Sequence, residues 1–178
     1  MGRKLYSGFA IGIKGQINLE NFELLNKLNE QASCGDLILN HPFNRYLVNI
    51  SKRNDIDIDN TFDIVGHGTV KSIEMLSHNG KRLISLSHRD LFKLLKRNKK
   101  YKRGMSIRLL SCNTGKDPCG FAQNLANKLN VKVIAPNTYY WAYPNGSHIP
   151  AEMKENGQID ITRPGKMITF YPGGNKHD

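Results

Sequence analysis

Cysteine is scarce in this chain: 178 residues hold only Cys34, Cys112 and Cys119. An odd, low count excludes a disulfide framework and favours reduced thiols in a cytosol. There is no Cys-x-x-Cys pair, and Cys112 and Cys119 are seven apart, which is not a zinc-finger spacing, so no metal is expected. No run approaches the roughly 18 apolar residues of a membrane span. The first residues, MGRKLYSGFAIGIKG, lack the apolar stretch and small-residue cleavage site of a signal peptide. Tyr6 stands where a myristoylation signal wants Ser or Thr. Internal repeats and low-complexity linkers are also missing.

What is present is a globular composition. Hydrophobic residues at 39% against 23% charged exclude a disordered chain, and the length suits a single domain over 1–178. The formal net charge is +11, which favours anionic partners. Seven basic residues lie between Lys93 and Arg103, six of them Lys96, Arg97, Lys99, Lys100, Lys102 and Arg103. The run reads either as a solvated helix end that suits the helix dipole or as a docking site for a phosphate-rich ligand. Asp55, Asp57 and Asp59 are spaced as in a calcium loop, but Asn60 and Gly66 occupy the places of its required Gly and Glu. They read as a solvated loop.

Periodicity predicts an α/β domain. A strand over Leu5–Ile13 and a helix over Leu19–Ala32 lead to short strands at Asp36–Asn40 and Tyr46–Ile50. Phe62–Gly66 reads as a buried strand. Val70–Met75 and Arg82–Leu86 read as a hairpin turned at Asn79-Gly80. Ser87 and Asp90 form a capping signal for a basic helix over Arg89–Asn98. Ile107–Ser111 is a second buried strand. A helix opening at Asp117-Pro118 and striped by Phe121, Ala122, Leu125, Ala126 and Leu129 follows, then a third strand, Val131–Ala135. Strand, helix, strand implies a mostly parallel sheet flanked by helices. Beyond Asn137, short β segments at Tyr139–Tyr143, Gln158–Thr162 and Met167–Tyr171 form a β-rich C-terminal extension. The chain thus divides into an N-terminal region (1–60), a catalytic core (61–136) and the extension (137–178).

Open α/β sheets hold ligands at the carboxyl ends of their parallel strands. His67 follows the strand Phe62–Gly66, and Cys112 follows Ile107–Ser111. If the two strands are neighbours, thiol and imidazole emerge at one edge, about 4.8 Å apart strand to strand. A neutral thiol is a weak nucleophile, and a nearby imidazole can take its proton. The N–H groups of Gly68 and Cys112 are candidate oxyanion donors.

The runs Asp63-Ile64-Val65-Gly66-His67-Gly68 and Ile107-Arg108-Leu109-Leu110-Ser111-Cys112, with His 45 residues before Cys, resemble the caspase-like cysteine peptidases. That group includes caspases, gingipains, clostripain and the self-processing domains of large bacterial toxins. The stretch LLSCNTGKDPCGFAQNLANKLNVKVIAP is also similar to C-terminal modules of bacterial polymorphic and contact-dependent toxins. The resemblance covers Phe62 to Pro136. It implies a caspase-like sheet, with Cys112 as nucleophile, His67 as acid/base partner and Gly68 as oxyanion donor. It further implies a toxin or effector peptidase of bacterial origin, delivered without a signal peptide into a target-cell cytosol. Its partners would be a protein substrate and an immunity or inhibitor protein. Toxin members are activated by an inositol phosphate on a basic surface, a role the Lys96–Arg103 run would fill here. Leu110-Ser111-Cys112-Asn113-Thr114 departs from the caspase Gln-Ala-Cys-x-Gly signature, which leaves cleavage preference open.

Other readings stand beside this one. Trp141 and Tyr139, within an aromatic cluster with Tyr140 and Tyr143, are either hairpin packing or the wall of a substrate pocket. Cys119 reads as a buried or half-buried structural thiol in a helix's first turn, and Cys34 as helix-end packing. His148, after Asn145-Gly146-Ser147, reads as a solvent-facing turn residue, with a supporting place at the crevice as the alternative. A papain-like order would pair Cys34 with His67 or Cys112 with His148. His41, His78 and His88 read as local structure. The charge and the six histidines also fit a basic nuclease acting on RNA or DNA. A non-catalytic binding module of degenerate caspase-like fold is the third reading.

Overall fold

A computed structural model describes residues 37–39, 49–50, 52–55, 60–77 and 82–174. The predicted first strand and helix, the Asn79-Gly80 turn, Cys34, His41, His78, Asp57 and Asp59 lie outside these residues. The chain is α/β. Its main sheet has the order β1 (Leu37–Ile38), β2 (Thr61–Val65), β5 (Ser106–Leu110), β6 (Val133–Pro136) and β10 (Met167–Phe170). The first four are parallel, and β10 runs antiparallel to β6 at the edge. A hairpin pairs β3 (Ile73–Leu76) with β4 (Leu83–Leu86). The third sheet is a meander of β7 (Tyr140–Ala142), β8 (His148–Met153) and β9 (Ile159–Pro164). The C-terminal extension is therefore divided: three strands stand apart and the fourth rejoins the core.

The central strands alternate between two buried faces. Phe62 and Ile64 of β2 and Ile107 and Leu109 of β5 join the larger core. There they meet helix α1 (His88–Arg97) through Leu91, Leu94 and Leu95, and helix α2 (Phe121–Leu129) through Phe121, Ala122, Leu125 and Ala126. Each such Leu or Phe contributes about 1.5–3 kcal/mol of burial. Val65 and Leu110 face the other way, onto a smaller cluster with Ile50 and Tyr140.

Local chemistry sets the helix ends. The Ser87 hydroxyl accepts the Asp90 N–H, and the Asp90 carboxylate accepts the Ser87 N–H, so the expected capping box opens α1. Helix α2 starts at Phe121 rather than at Asp117-Pro118. The reason is a local turn: Asp117 Oδ1 accepts the Cys119 N–H, and Gly120 N–H donates to Asp117 O. Cys119 is consequently exposed before the helix instead of half-buried in its first turn. Asn49 and Ile50, expected in a strand, are helical. Packing prevails over β propensity there: Ile50 is buried on the smaller cluster, and Asn49 Nδ2 donates to Ala142 O at 3.0 Å.

Candidate functional site

Strands β2 and β5 are direct parallel neighbours, with Val65 opposite Leu110. His67 and Cys112 each lie two residues beyond that pair, at the same carboxyl edge. Gly68 shows how close the two chain segments run. A Cβ there would lie 2.8 Å from Cys112 O, 3.0 Å from Ser111 Cβ and 2.7 Å from Thr114 Cγ2. Gly68 also forms an isolated bridge with Ile73. The bridge's bonds run from Glu74 N–H to His67 O and from Thr69 N–H to Ser72 O. The N–H of Gly68 itself therefore faces away from β3. After Cys112 the chain turns through Asn113 in the left-handed region (φ 57°), with the Thr114 hydroxyl donating to Ser111 O at 3.0 Å.

The Cys112 sulfur is bonded to the main chain of Tyr140. Tyr140 N–H donates to Sγ at 3.3 Å, and the thiol points back to Tyr140 O at 3.8 Å. Burial pushes the thiol pKa up, while the Tyr140 N–H and the Cys112 main chain pull it partly back. Burial lowers the His67 pKa, against the attraction of Glu74. At neutral pH the edge thus carries an uncharged thiol and an uncharged imidazole. Helix α2 adds little positive potential here, because the N–H groups of Phe121 and Ala122 donate to Val70 O and Thr114 O.

Beneath Cys112, on the smaller face, lies a chain of polar groups. The Tyr140 hydroxyl meets His148 Nδ1 at 2.5 Å, and His148 Nε2 meets Asp55 Oδ1 at 3.0 Å. Asp55 Oδ2 accepts from Arg108 Nη1 at 2.8 Å. Arg108 also clasps Asp63, through Nε at 2.7 Å and Nη2 at 2.5 Å, and Arg53 Nη2 reaches the same carboxylate at 2.9 Å. Asp63 is 1% exposed, a charge that folding tolerates only because both guanidinium groups surround it. Burial opposes the charge on Arg108, but its bonds to Asp63 and Asp55 outweigh that and hold the cation. Burial likewise works against the Asp55 carboxylate, but bonds from Arg108 and His148 hold its pKa below the usual range. Burial raises the Tyr140 phenol well above its ordinary value, although the Arg108 charge opposes this.

Two sequence expectations change here. His148 is a strand residue of β8 with its side chain 12% exposed, not a solvent-facing turn. Asp55 belongs to the ion network rather than to a solvated loop. Strand β8 itself was not anticipated, because Pro150 interrupts its pattern. Pro150 fits where a bulge between Ala151 and Glu152 breaks the pairing with β9.

The remaining candidates separate in space. Tyr140 is the aromatic residue against Cys112. Trp141, its neighbour in β7, points to the opposite face, and its Nε1 donates to Ala151 O at 2.9 Å. Tyr139 stands tilted against Trp141, with ring centroids 6.5 Å apart. Lys96 and Arg97 are exposed in the last turn of α1, and Lys99, Lys100, Lys102 and Arg103 are exposed in the loop that follows. That loop enters β5 at Ser106, the amino edge. The length of β5 puts it about 20 Å from Cys112. Among the described residues no three His, Cys, Asp or Glu side chains gather as a metal-holding group, and no helix is long and apolar enough to cross a membrane.

Comparison with known proteins supplies a family. The chain is 34% identical over 113 residues to the uncharacterized protein YibJ of Escherichia coli strain K12, a stretch covering 63% of this chain and 45% of YibJ. It thus spans less than half the length of that relative. No solved structure matches it. A family profile described as a domain of unknown function, DUF8616, matches residues 35–150, a span that includes Arg53, Asp55, Asp63, His67, Gly68, Arg108, Cys112, Tyr140 and His148. The match covers most of the chain, and the chain belongs to the DUF8616 family.

Proposed function

We propose that this chain is a cysteine peptidase, or a related thiol acyl-transfer enzyme, of caspase-like type. The observation that supports the reading is the register of β2 and β5, which leaves His67 and Cys112 each two residues beyond the paired Val65 and Leu110 at the same edge of the sheet. The neutral state of both groups suits general-base catalysis rather than a resting thiolate. Cys112 Sγ attacks the substrate carbonyl carbon as His67 takes the thiol proton. The Gly68 N–H stabilises the oxyanion. His67 then returns the proton to the leaving amine as the C–N bond breaks, giving a thioester. Water, deprotonated by His67, hydrolyses that thioester and frees the thiol.

The caspase-like resemblance extends the proposal to a bacterial toxin or effector module acting on protein in a target cell. The basic run lies at the far edge of the sheet, so an inositol phosphate or other polyanion bound there would act as a remote activator.

The test is iodoacetamide alkylation of Cys112 across pH in the wild type and in His67→Gln, paired with cleavage of a degenerate peptide library by the wild type and Cys112→Ser. The dyad predicts slower alkylation at neutral pH without the imidazole, and no cleavage without the thiol. An alkylation profile indifferent to His67→Gln, or cleavage that survives Cys112→Ser, overturns the reading.

A further inference from the structure

We propose that Asp55, His148 and Tyr140 form a relay that positions the Cys112 thiol and sets its reactivity. The inference rests on Cys112 being the nucleophile and adds three positioning residues to it.

The geometry supplies the chain. Tyr140 Oη, His148 Nδ1, His148 Nε2 and Asp55 Oδ1 follow one another at 2.5 Å and 3.0 Å. An ionised Asp55 has no proton to give, so His148 Nε2 carries the hydrogen between them, and Nδ1 closes the bond to the Tyr140 hydroxyl. Each bond fixes the direction of the next. The last member acts on sulfur through its main chain. Tyr140 pairs with Pro150 across β7 and β8, and the adjacent bond runs from Ala151 N–H to Tyr139 O. Tyr140 is therefore a non-hydrogen-bonded position of the ladder, and its own N–H and C=O face away from β8, toward Cys112. A proline opposite costs nothing on that side.

Both polar groups of the Tyr140 main chain meet the Cys112 sulfur. An N–H aimed at sulfur favours the thiolate over the thiol, but only if it is held in place. The phenol anchors that peptide from one side, and the bond from Asn113 N–H to Thr138 O (2.8 Å) anchors it two residues earlier. An apolar contact would tether β7 equally well. A buried hydrogen-bonded chain ending at the nucleophile adds orientation, which is what thiolate formation needs. Among the described residues, the charged or titratable groups of the surrounding elements are Asp63 on β2, Arg108 on β5, Arg53 and Asp55 in the loop before β2, His148 on β8, His67 just past β2 and Glu74 on β3. Asp63, Asp55, Arg53 and Arg108 balance in charge, so the N–H is not overridden by an uncompensated charge beneath it.

The experiment uses the full chain and iodoacetamide, with alkylation read residue by residue from peptide masses between pH 6 and 10. Exposed Cys119 serves as the reference within each sample. Tyr140→Phe and His148→Gln should each slow Cys112 alkylation at pH 7 by up to about tenfold and move its midpoint up by as much as about one unit, the limit reached if the unanchored Tyr140 N–H leaves the sulfur entirely. Cys119 should be unchanged. Asp55→Asn, the mildest variant, keeps an acceptor for Nε2–H and should slow Cys112 by about threefold, a fraction of that unit. A purely structural role predicts the reverse, since loosened packing exposes Cys112 and speeds its alkylation. An unchanged or accelerated Cys112 in all three variants overturns the relay. If His67→Gln still slows Cys112 in that case, the nucleophile reading survives alone. If His67→Gln has no effect while the three variants do, the relay stands and the dyad falls.

Discussion

Replacing Cys112 by alanine should cost stability as well as chemistry, and the two losses can be separated. The sulfur accepts the Tyr140 N–H at 3.3 Å and packs against the cluster of Ile50, Val65, Leu110 and Tyr140. Alanine leaves that N–H unpaired in a buried place, which costs about 1–3 kcal/mol. Loss of the buried sulfur adds about 0.8 kcal/mol, by analogy with a methylene. The sum, about 2–4 kcal/mol, should lower the unfolding midpoint by roughly 5–15 °C in a chain of this size. In Cys112→Ser the hydroxyl oxygen takes over as acceptor across a slightly longer gap, and the loss should be about 1 kcal/mol. Thermal and urea unfolding of the three proteins would measure this. An alanine variant as stable as the wild type would refute the sulfur's part in holding β7. Serine is accordingly the cleaner substitution for catalysis, because it removes the thiolate and keeps the bond.

Asp63→Ala should be among the most destabilising single changes, by about 3–5 kcal/mol, because it strands the guanidinium groups of Arg53 and Arg108 around an empty place. Urea titration would check it, with Asp63→Asn intermediate. Gly68→Ala would set a Cβ 2.8 Å from Cys112 O, a backbone atom that cannot swing aside. It should destabilise the fold by about 1–3 kcal/mol and slow Cys112 alkylation, both readable in the same samples. Acid should weaken the fold in two steps. The His67 pKa is lowered by folding, so the unfolded chain binds its proton first, and stability falls as pH drops below about 6.5 toward the lower folded value. Asp55 is also lowered, so its contribution is complete above about 3.8 and is lost as pH falls through its folded value. His67→Gln should shrink the first step, which His88 shares because burial lowers its pKa too, and Asp55→Asn should shrink the second, in unfolding midpoints followed against pH.

The place of His67 and Cys112 at the carboxyl edge of parallel neighbours was legible, because each stands just past a largely apolar run, Phe62–Gly66 or Ile107–Ser111, of the kind that forms a buried strand of an α/β sheet. The α1 cap was legible for a similar reason: Ser87 and Asp90 make the whole motif within four residues. The relay was not legible. His148 and Asp55 are 93 positions apart and meet only through tertiary packing. Asp55 was hidden among Asp57 and Asp59, and His148 behind a turn sequence and a proline. One signal was available. Asp63 and Arg108 are lone charges in otherwise apolar strands, of opposite sign and at the same position in each run. In the folded chain they face each other across β2 and β5. Two buried strands that each carry one charge announce an ion pair between them.

The placement of the basic run has a practical side. Seven cations and no acid occupy Lys93 to Arg103, at the amino edge of the sheet, while Cys112 stands at the carboxyl edge. A polyanionic matrix would grip the molecule by the first edge and turn the second toward the solvent. Protein immobilised on a sulfonated or heparin support should therefore present the carboxyl edge of its sheet outward, oriented by charge alone.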